Sequence, residues 1–304
     1  MKRKHALWPP LWCGVIGLSF ALLASMPAWA AADWFKQGET LRFGVYVWGL
    51  RAGEAELRYE PAVADKGHKV PGSTAPWRIT GRAWTGGGLV GGLMTLRDRL
   101  QAWGQHTPAQ PFEVTWFDQQ MHENDYRADK TVVYRQTAHE ATYTNNRAPK
   151  SPPVTFPLKT VTRDALSALY YLRQTVQNPQ PGKIYEVPVL QLDRPYLLQL
   201  EYVGDEQAET PWGKQLVRHF RRLNVPGGGK HKTQLDLWVE RSIELRPVRI
   251  EYTFKYGTFR AELEHVGAAT EGSTAPAGLP LTGPLVAQPK QKDLPDDFVN
   301  PVDF

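Results

Sequence analysis

Val248-Arg249-Ile250-Glu251-Tyr252-Thr253-Phe254-Lys255-Tyr256-Gly257-Thr258-Phe259-Arg260-Ala261-Glu262-Leu263-Glu264-His265 is the stretch that decides the fold. Val248, Ile250, Tyr252, Phe254 and Tyr256 alternate with Arg249, Glu251, Thr253 and Lys255. Phe259, Ala261 and Leu263 then alternate with Arg260, Glu262 and Glu264. Successive side chains of a strand point to opposite faces, so each run predicts a strand with one covered and one wet face. Tyr256-Gly257 between the runs predicts a tight hairpin turn.

The same alternation recurs upstream. In Arg51 to Glu60, Gly53, Ala55, Leu57 and Tyr59 alternate with Ala52, Glu54, Glu56 and Arg58. Leu41 to Leu50 and Tyr196 to Val203 are apolar on both faces, which requires something to cover the sheet. Further strands are expected at 77–84, 93–103, 112–118, 124–135, 184–191, 214–223 and 234–240. One helix stands out. Ala165, Leu166, Leu169, Tyr170 and Leu172 recur at helical spacing, with Thr162 as a capping candidate and Asp164 suited to the positive end of the helix dipole. A helix apolar over most of its surface must be buried. The expected fold is mainly β: a curved antiparallel sheet or incomplete β-barrel of about a dozen strands wrapped over one central helix. Residues 146–157 read as an extended linker into that helix.

Residues 1–30 read as a secretory signal peptide. Met1-Lys2-Arg3-Lys4-His5 is basic, Leu11 to Ala24 is nearly all apolar, and Ala28-Trp29-Ala30 ends the segment with small residues. Cleavage is expected between Ala30 and Ala31, and a periplasmic location follows. The alternative is an uncleaved anchor, but the apolar core is shorter than the roughly 20 residues a spanning helix needs. Cleavage would leave no transmembrane helix. It would also remove Cys13, the chain's single cysteine, and Lys2, Arg3 and Lys4. Of 36 basic residues 33 then face 31 acidic ones, so the surplus is too small to indicate nucleic-acid binding. Residues 31–266 are expected to form the β-rich domain. Residues 267–304, rich in Pro, Gly, Ala and Thr, read as a disordered tail.

Motifs for chemistry are sparse. Seven histidines remain after residue 30, none at metal-ligand spacing with another on one element, and they read as scattered surface residues. His122-Glu123 lacks a second ligand, since position 126 is Tyr126. No Gly-x-Ser-x-Gly elbow occurs, and Ser167 is expected to bond back to the preceding helical turn. Gly86 to Gly92 and Gly227-Gly228-Gly229-Lys230 lack the Lys-Ser/Thr of a phosphate loop and read as loops or bulges. Glu54 with Glu56, and Glu262 with Glu264, read as solvated strand faces rather than a glycosidase pair. No metal, cofactor or catalytic residue is therefore assigned. Arg218, Arg221, Arg222, Lys230 and Lys232, with His219 and His231, form a basic cluster around one expected loop. It is a solvated hairpin on the plain reading, or a contact for anionic envelope lipid or polysaccharide.

Several segments resemble the domain-of-unknown-function 3108 family. Gly38-Glu39-Thr40-Leu41 and Val45-Tyr46-Val47-Trp48-Gly49-Leu50-Arg51-Ala52-Gly53-Glu54-Ala55 are similar to its opening. Asp164-Ala165-Leu166-Ser167-Ala168-Leu169-Tyr170-Tyr171-Leu172-Arg173 is similar to its central helix. Leu237-Trp238-Val239-Glu240 and Arg246-Pro247-Val248-Arg249-Ile250 are similar to its closing strands. The resemblance implies an exported, mostly β bacterial protein with no established activity, and it carries over no catalytic residues. The chain departs from it at Pro226-Gly227-Gly228-Gly229-Lys230-His231-Lys232 and in the Pro-rich tail.

Three functions compete. The first is a non-enzymatic carrier or binder of an apolar or amphipathic envelope ligand, motivated by a curved sheet over a helix and 11% aromatic residues. Its architecture resembles that of periplasmic lipoprotein carriers, though no residues carry their function across. A dry, filled centre would count against it. The second is a structural or interaction protein of the envelope. The third is a hydrolase without a recognisable motif. The possible partner is a lipid or other envelope component. The oligomeric state is not legible in the sequence.

Overall fold

The computed structural model describes residues 33–61, 76–86, 95–107, 110–176, 178–223, 234–254 and 257–270. The expected signal segment and its Ala30–Ala31 junction lie outside these residues, as do Gly87 to Gly92, the 224–233 loop and 271–304.

A short helix α1 (Asp33–Gln37) precedes β1 (Glu39–Val47), β2 (Leu50–Glu60), β3 (Pro76–Thr85), β4 (Arg97–Gln105), β5 (Glu113–Glu123), β6 (Tyr126–Arg135), β7 (Glu140–Asn145) and β8 (Val154–Pro157). The main helix α2 (Ala165–Thr175) follows. After it come β9 (Ile184–Gln191), β10 (Arg194–Thr210), β11 (Gly213–Arg222), β12 (Gln234–Glu240), β13 (Pro247–Phe254) and β14 (Gly257–Gly267). All fourteen belong to one antiparallel sheet in the order β8-β7-β6-β5-β4-β3-β2-β1-β14-β13-β12-β11-β10-β9. Every sequential pair except β8 and β9 is hydrogen-bonded, and the first strand pairs with the last. The sheet stays open at one seam, between β8 and β9, where α2 is inserted.

This is the expected incomplete barrel, with two strands more than foreseen. The additions are β7 and β8, in and beside the stretch read as a linker. β8 is four residues long, ends in Pro157, and is largely exposed. Proline is tolerated on an edge strand, where its missing N–H faces no partner. In the final hairpin Phe254 lies opposite Gly257, and Lys255 and Tyr256, on which the expected turn partly falls, lie outside the described residues. β14 runs through Gly267, and Thr40 Oγ1 donates to Ala268 O at 3.1 Å. The ordered strand thus reaches one residue past the expected boundary at 266.

Residues 158–164 bridge the seam. Leu158 N donates to His139 O at 2.7 Å. The buried amide of Gln136 holds Thr162 from both sides: Nε2 donates to Thr162 O at 2.7 Å, and Thr162 N donates to Oε1 at 3.2 Å. Arg163 then pairs in parallel with β9, its N donating to Pro188 O (3.0 Å) and its O accepting from Leu190 N (2.8 Å). Buried backbone polar groups need such partners.

The helix cap is Asp164, not Thr162. Its Oδ1 accepts from Leu166 N (2.8 Å) and Ser167 N (3.2 Å), and Ser167 Oγ accepts from Asp164 N, completing a capping box. Thr162 cannot serve, because its backbone is committed to Gln136 and its hydroxyl to Thr160 O. As expected, the Ser167 hydroxyl bonds back to Asp164.

Leu166 and Tyr170 of α2 join the core formed by Leu41, Leu57, Tyr59, Trp77 and Ile79. Ala168, Leu172 and Val176 pack with Val187, Val189, Leu200, Phe220 and Leu237. Gly81 lets the helix sit close, since a Cβ there would come within 3.3 Å of Leu166 Cδ2. Arg173 pins the far end. Its guanidinium is buried, pairs with the equally buried Glu39, and donates to Glu244 O at 3.1 Å. It also lies 4.4 Å from the Trp34 ring and 4.8 Å from that of Tyr170. Burial works against the Arg173 charge, but Glu39 outweighs it and its pKa moves up.

Deleting one partner of a buried ion pair typically costs about 3–5 kcal/mol, because the other charge stays buried. Arg173→Met and Glu39→Gln should each lower stability by roughly that amount in urea unfolding followed by tryptophan fluorescence. The double variant should lose less than the two single losses combined. Full additivity would show that the two side chains do not act as a pair.

Candidate functional site

Directly opposed residues of antiparallel strands share a face. Following the register from β3 to β10 traces one row: Thr85, Gly53, Val45, Ala261, Ile250, Leu237, Phe220, Tyr202. A parallel row carries Ala83, Ala55, Phe43 and Leu263. Phe220 and Leu237 pack with α2, so these rows lie on the concave side, under the helix. Small side chains dominate its middle. Val45, Ala55, Ala83, Ala261, Ile250 and, from the helix, Leu169 are only half-buried. Gly53 is obligatory, since a Cβ there would fall 2.1 Å from Trp84 O. The flanks are packed: Leu41 and Ile79 on one side and Val187 and Val189 on the other are at most 1% exposed.

Beneath the helix, Leu172, Leu200, Phe220, Leu237, Val239 and Leu245, with Arg173, line a mainly apolar cavity of about 20 Å³. That is room for one water at the usual ~10–15 Å³ yardstick. It is too small for an acyl chain, so a ligand on this face would have to lie on the half-open middle row.

Strand alternation divides the expected basic cluster. Arg218 and Arg222 lie on the face of Phe220, while His219 and Arg221 lie on the opposite one. Arg222 sits over the Tyr196 ring at 5.1 Å and Lys183 over Tyr185 at 5.1 Å, placing cations on aromatics at the margin of the concave face. Burial raises the Tyr202 hydroxyl to about 12, helped by Asp205 and opposed by the nearby Arg218 charge. Arg221 instead bonds Asp236 at 3.0 Å. Lys230, His231 and Lys232 lie outside the described residues.

Two histidines are not on the surface as expected. His219 is 6% exposed, contacts Asp236 at 2.7 Å, and stacks on Trp238 at 4.5 Å. Its neighbours are carboxylates, an arginine and an indole, with no hydroxyl or thiol nucleophile among them. His106 packs among Phe35, Trp77 and Phe112, and burial lowers its pKa to about 4. Its Nδ1 accepts from Phe112 N (3.3 Å), so the neutral ring carries its proton on Nε2, facing Tyr59 Oη at 3.1 Å. The expected wet face of β2 also needs correction. Glu56 is 4% exposed, covered by Arg42 at 3.5 Å and Arg58 at 3.8 Å. Arginine stems shield apolar and charged groups alike on such a face. Among the described residues, no three His, Cys, Asp or Glu are grouped to hold a metal.

Polar side chains gather at one end of the concave face. Asp98 lies opposite Ala83, and Gln119 lies opposite Leu100, so both point inward. Glu123 follows Gln119 on the same face of β5. Asp98 Oδ1 accepts from His122 N at 3.0 Å. Burial raises the Asp98 pKa to about 6, with the His122 N–H and Glu123 opposing the rise. Sequence reading missed this group because each residue stands singly in an ordinary alternation.

Residues 40–264 match the family described as "Protein of unknown function (DUF3108)". The chain therefore belongs to the DUF3108 family. No curated protein matches it. Among solved structures it is similar to a β-barrel-like protein of a domain of unknown function, DUF1849, from Brucella abortus, with 6% identity, 76% of this chain and 98% of that one covered, and a TM-score of 0.49. A "putative exported protein" with a YmcC-like fold from Bacteroides fragilis matches at 14% identity over 76% and 96% of the two chains, TM-score 0.34. A "putative lipoprotein" from Parabacteroides distasonis matches at 11% identity over 77% and 96%, TM-score 0.32.

The raised Asp98 pKa fixes a sign. Its folded value near 6 exceeds the ordinary 3.8, so the folded state binds more protons between those limits, and stability falls as pH rises through them. Asp98→Asn should therefore stabilise the protein at pH 7–8 by an amount on the order of 2 kcal/mol, and the gain should vanish by about pH 4. Thermal unfolding across pH measures it. A pH-independent difference would show that Asp98 is not a strained carboxylate.

Proposed function

We propose that this chain is an exported, non-enzymatic envelope protein that binds an amphipathic ligand by laying one apolar chain along the concave face beneath α2. The observation that carries this reading is the half-open strip of small and aliphatic residues, Val45, Ala261 and Ile250 of one row with Ala55 of the next, between two tightly packed flanks. Apolar side chains left partly exposed inside a curved sheet gain by burial, at roughly 25 cal/mol per Å². The 20 Å³ cavity next to this row adds no room for a chain. The cation–aromatic pairs at the margin, Arg222 on Tyr196 and Lys183 on Tyr185, suit the boundary between an apolar chain and water.

Native mass spectrometry with lipid extraction, on protein purified from its own envelope, tests the proposal. Near-stoichiometric co-purifying lipid is expected. Ala261→Phe should fill the row and reduce the lipid at least several-fold while the far-ultraviolet circular dichroism stays unchanged. Protein that is lipid-free, and stays so after incubation with envelope lipid, would overturn the reading. Capture of specific envelope proteins by such lipid-free material would favour an interaction role instead.

A further inference from the structure

We propose that the end of the concave face formed by β4 and β5 is a receptor for a primary ammonium group, carried by the amphiphile whose chain occupies the apolar row; this rests on the binding function proposed above. Three acceptor-bearing side chains share this end. Asp98 projects inward from β4, and Gln119 and Glu123 from alternate positions of β5. Gln119 is 2% exposed. Among the described residues, its Nε2 reaches only the sulfur of Met121, at 2.8 Å, and its Oε1 has no hydrogen-bond partner. A buried amide oxygen without a donor costs on the order of 1–3 kcal/mol, so it points to a donor that completes the site. Asp98 spends one oxygen on His122 N, and its carboxyl faces Glu123. Two adjacent inward carboxyls favour a cation, and a neighbouring amide oxygen favours one with several N–H groups. A primary ammonium supplies one charge and three donors.

The position fits an amphiphile rather than a free amine. Asp98 lies opposite Ala83, which lies opposite Ala55, so the carboxyl continues the row of Ala83 and Ala55, adjacent to the row of Gly53, Val45 and Ala261 on the same concave face. Lys130 lies opposite Gln119 on β6 and is half-buried, yet it makes no hydrogen bond to Gln119 Oε1. The protein's own nearby ammonium therefore does not satisfy this acceptor.

The test compares dodecylamine with dodecanoic acid, both below their aggregation concentrations at pH 7.5, by isothermal titration calorimetry. Their chains are equal in length and their heads are opposite in charge. Dodecylamine should bind about tenfold or more tightly, as one or two charge-assisted hydrogen bonds imply. Gln119→Leu, which conserves volume, and Asp98→Asn, which conserves shape, should each shrink that preference at least about threefold, with dodecanoic acid affinity not falling in either variant. The wild-type comparison needs no variant to fold. Equal binding of both probes would overturn the ammonium site and leave the apolar-chain reading intact. A preference unchanged in both variants would also overturn it, by placing the head elsewhere. Failure of both probes to bind would overturn both proposals.

Discussion

The architecture depends on the buried pairing of Arg173 with Glu39. A fourteen-stranded sheet whose first and last strands pair is one seam short of a barrel, and residues 158–164 bridge that seam on the way into the helix. That helix needs fixing at both ends. At its start, Asp164 caps it and Gln136 holds the preceding residues against the sheet. At its end, Arg173 reaches Glu39 on β1, with Trp34 and Tyr170 packed against the guanidinium. Two charges out of water are tolerated only with such complete pairing. The pair therefore specifies where the helix lies more than it adds net stability.

The helix position explains the uneven interior. Its two apolar faces fill the flanks of the concave surface, leaving only about 20 Å³ on the deep side. Between them the sheet presents Gly53, Ala55, Ala83 and Ala261, and these alanines stay half-buried. One end of this face carries Asp98, Gln119 and Glu123, and the other margin carries cations seated on tyrosines.

Much of the fold was legible in the sequence because alternation is a property of residues in succession. Ile184–Gln191 and Gln234–Glu240 have the boundaries their patterns predict, and Ala165–Leu172 reads as a buried helix. β7 and β8 were hidden by shortness and proline. Asp164 rather than Thr162 caps the helix because Gln136, 26 residues upstream, claims Thr162. The site was less legible. A row such as Gly53, Val45, Ala261 and Ile250 exists only once the register across four strands is known. The basic cluster had the converse problem: neighbours in sequence, Arg221 and Arg222 project to opposite faces of one strand. Glu56 read as solvated because the alternate residues on its strand face, Glu54 and Arg58, are charged, yet arginines from β1 and β2 cover it.

Photolabelling with a diazirine-bearing fatty amine, followed by peptide mass mapping, tests most directly whether the concave face is where an apolar chain lies. Adducts should concentrate in peptides covering residues 43–57 and 248–263, and an excess of unlabelled dodecylamine should suppress them. Adducts confined to outward residues such as Val133, Leu197 or Trp212, or labelling that no competitor suppresses, would contradict the account.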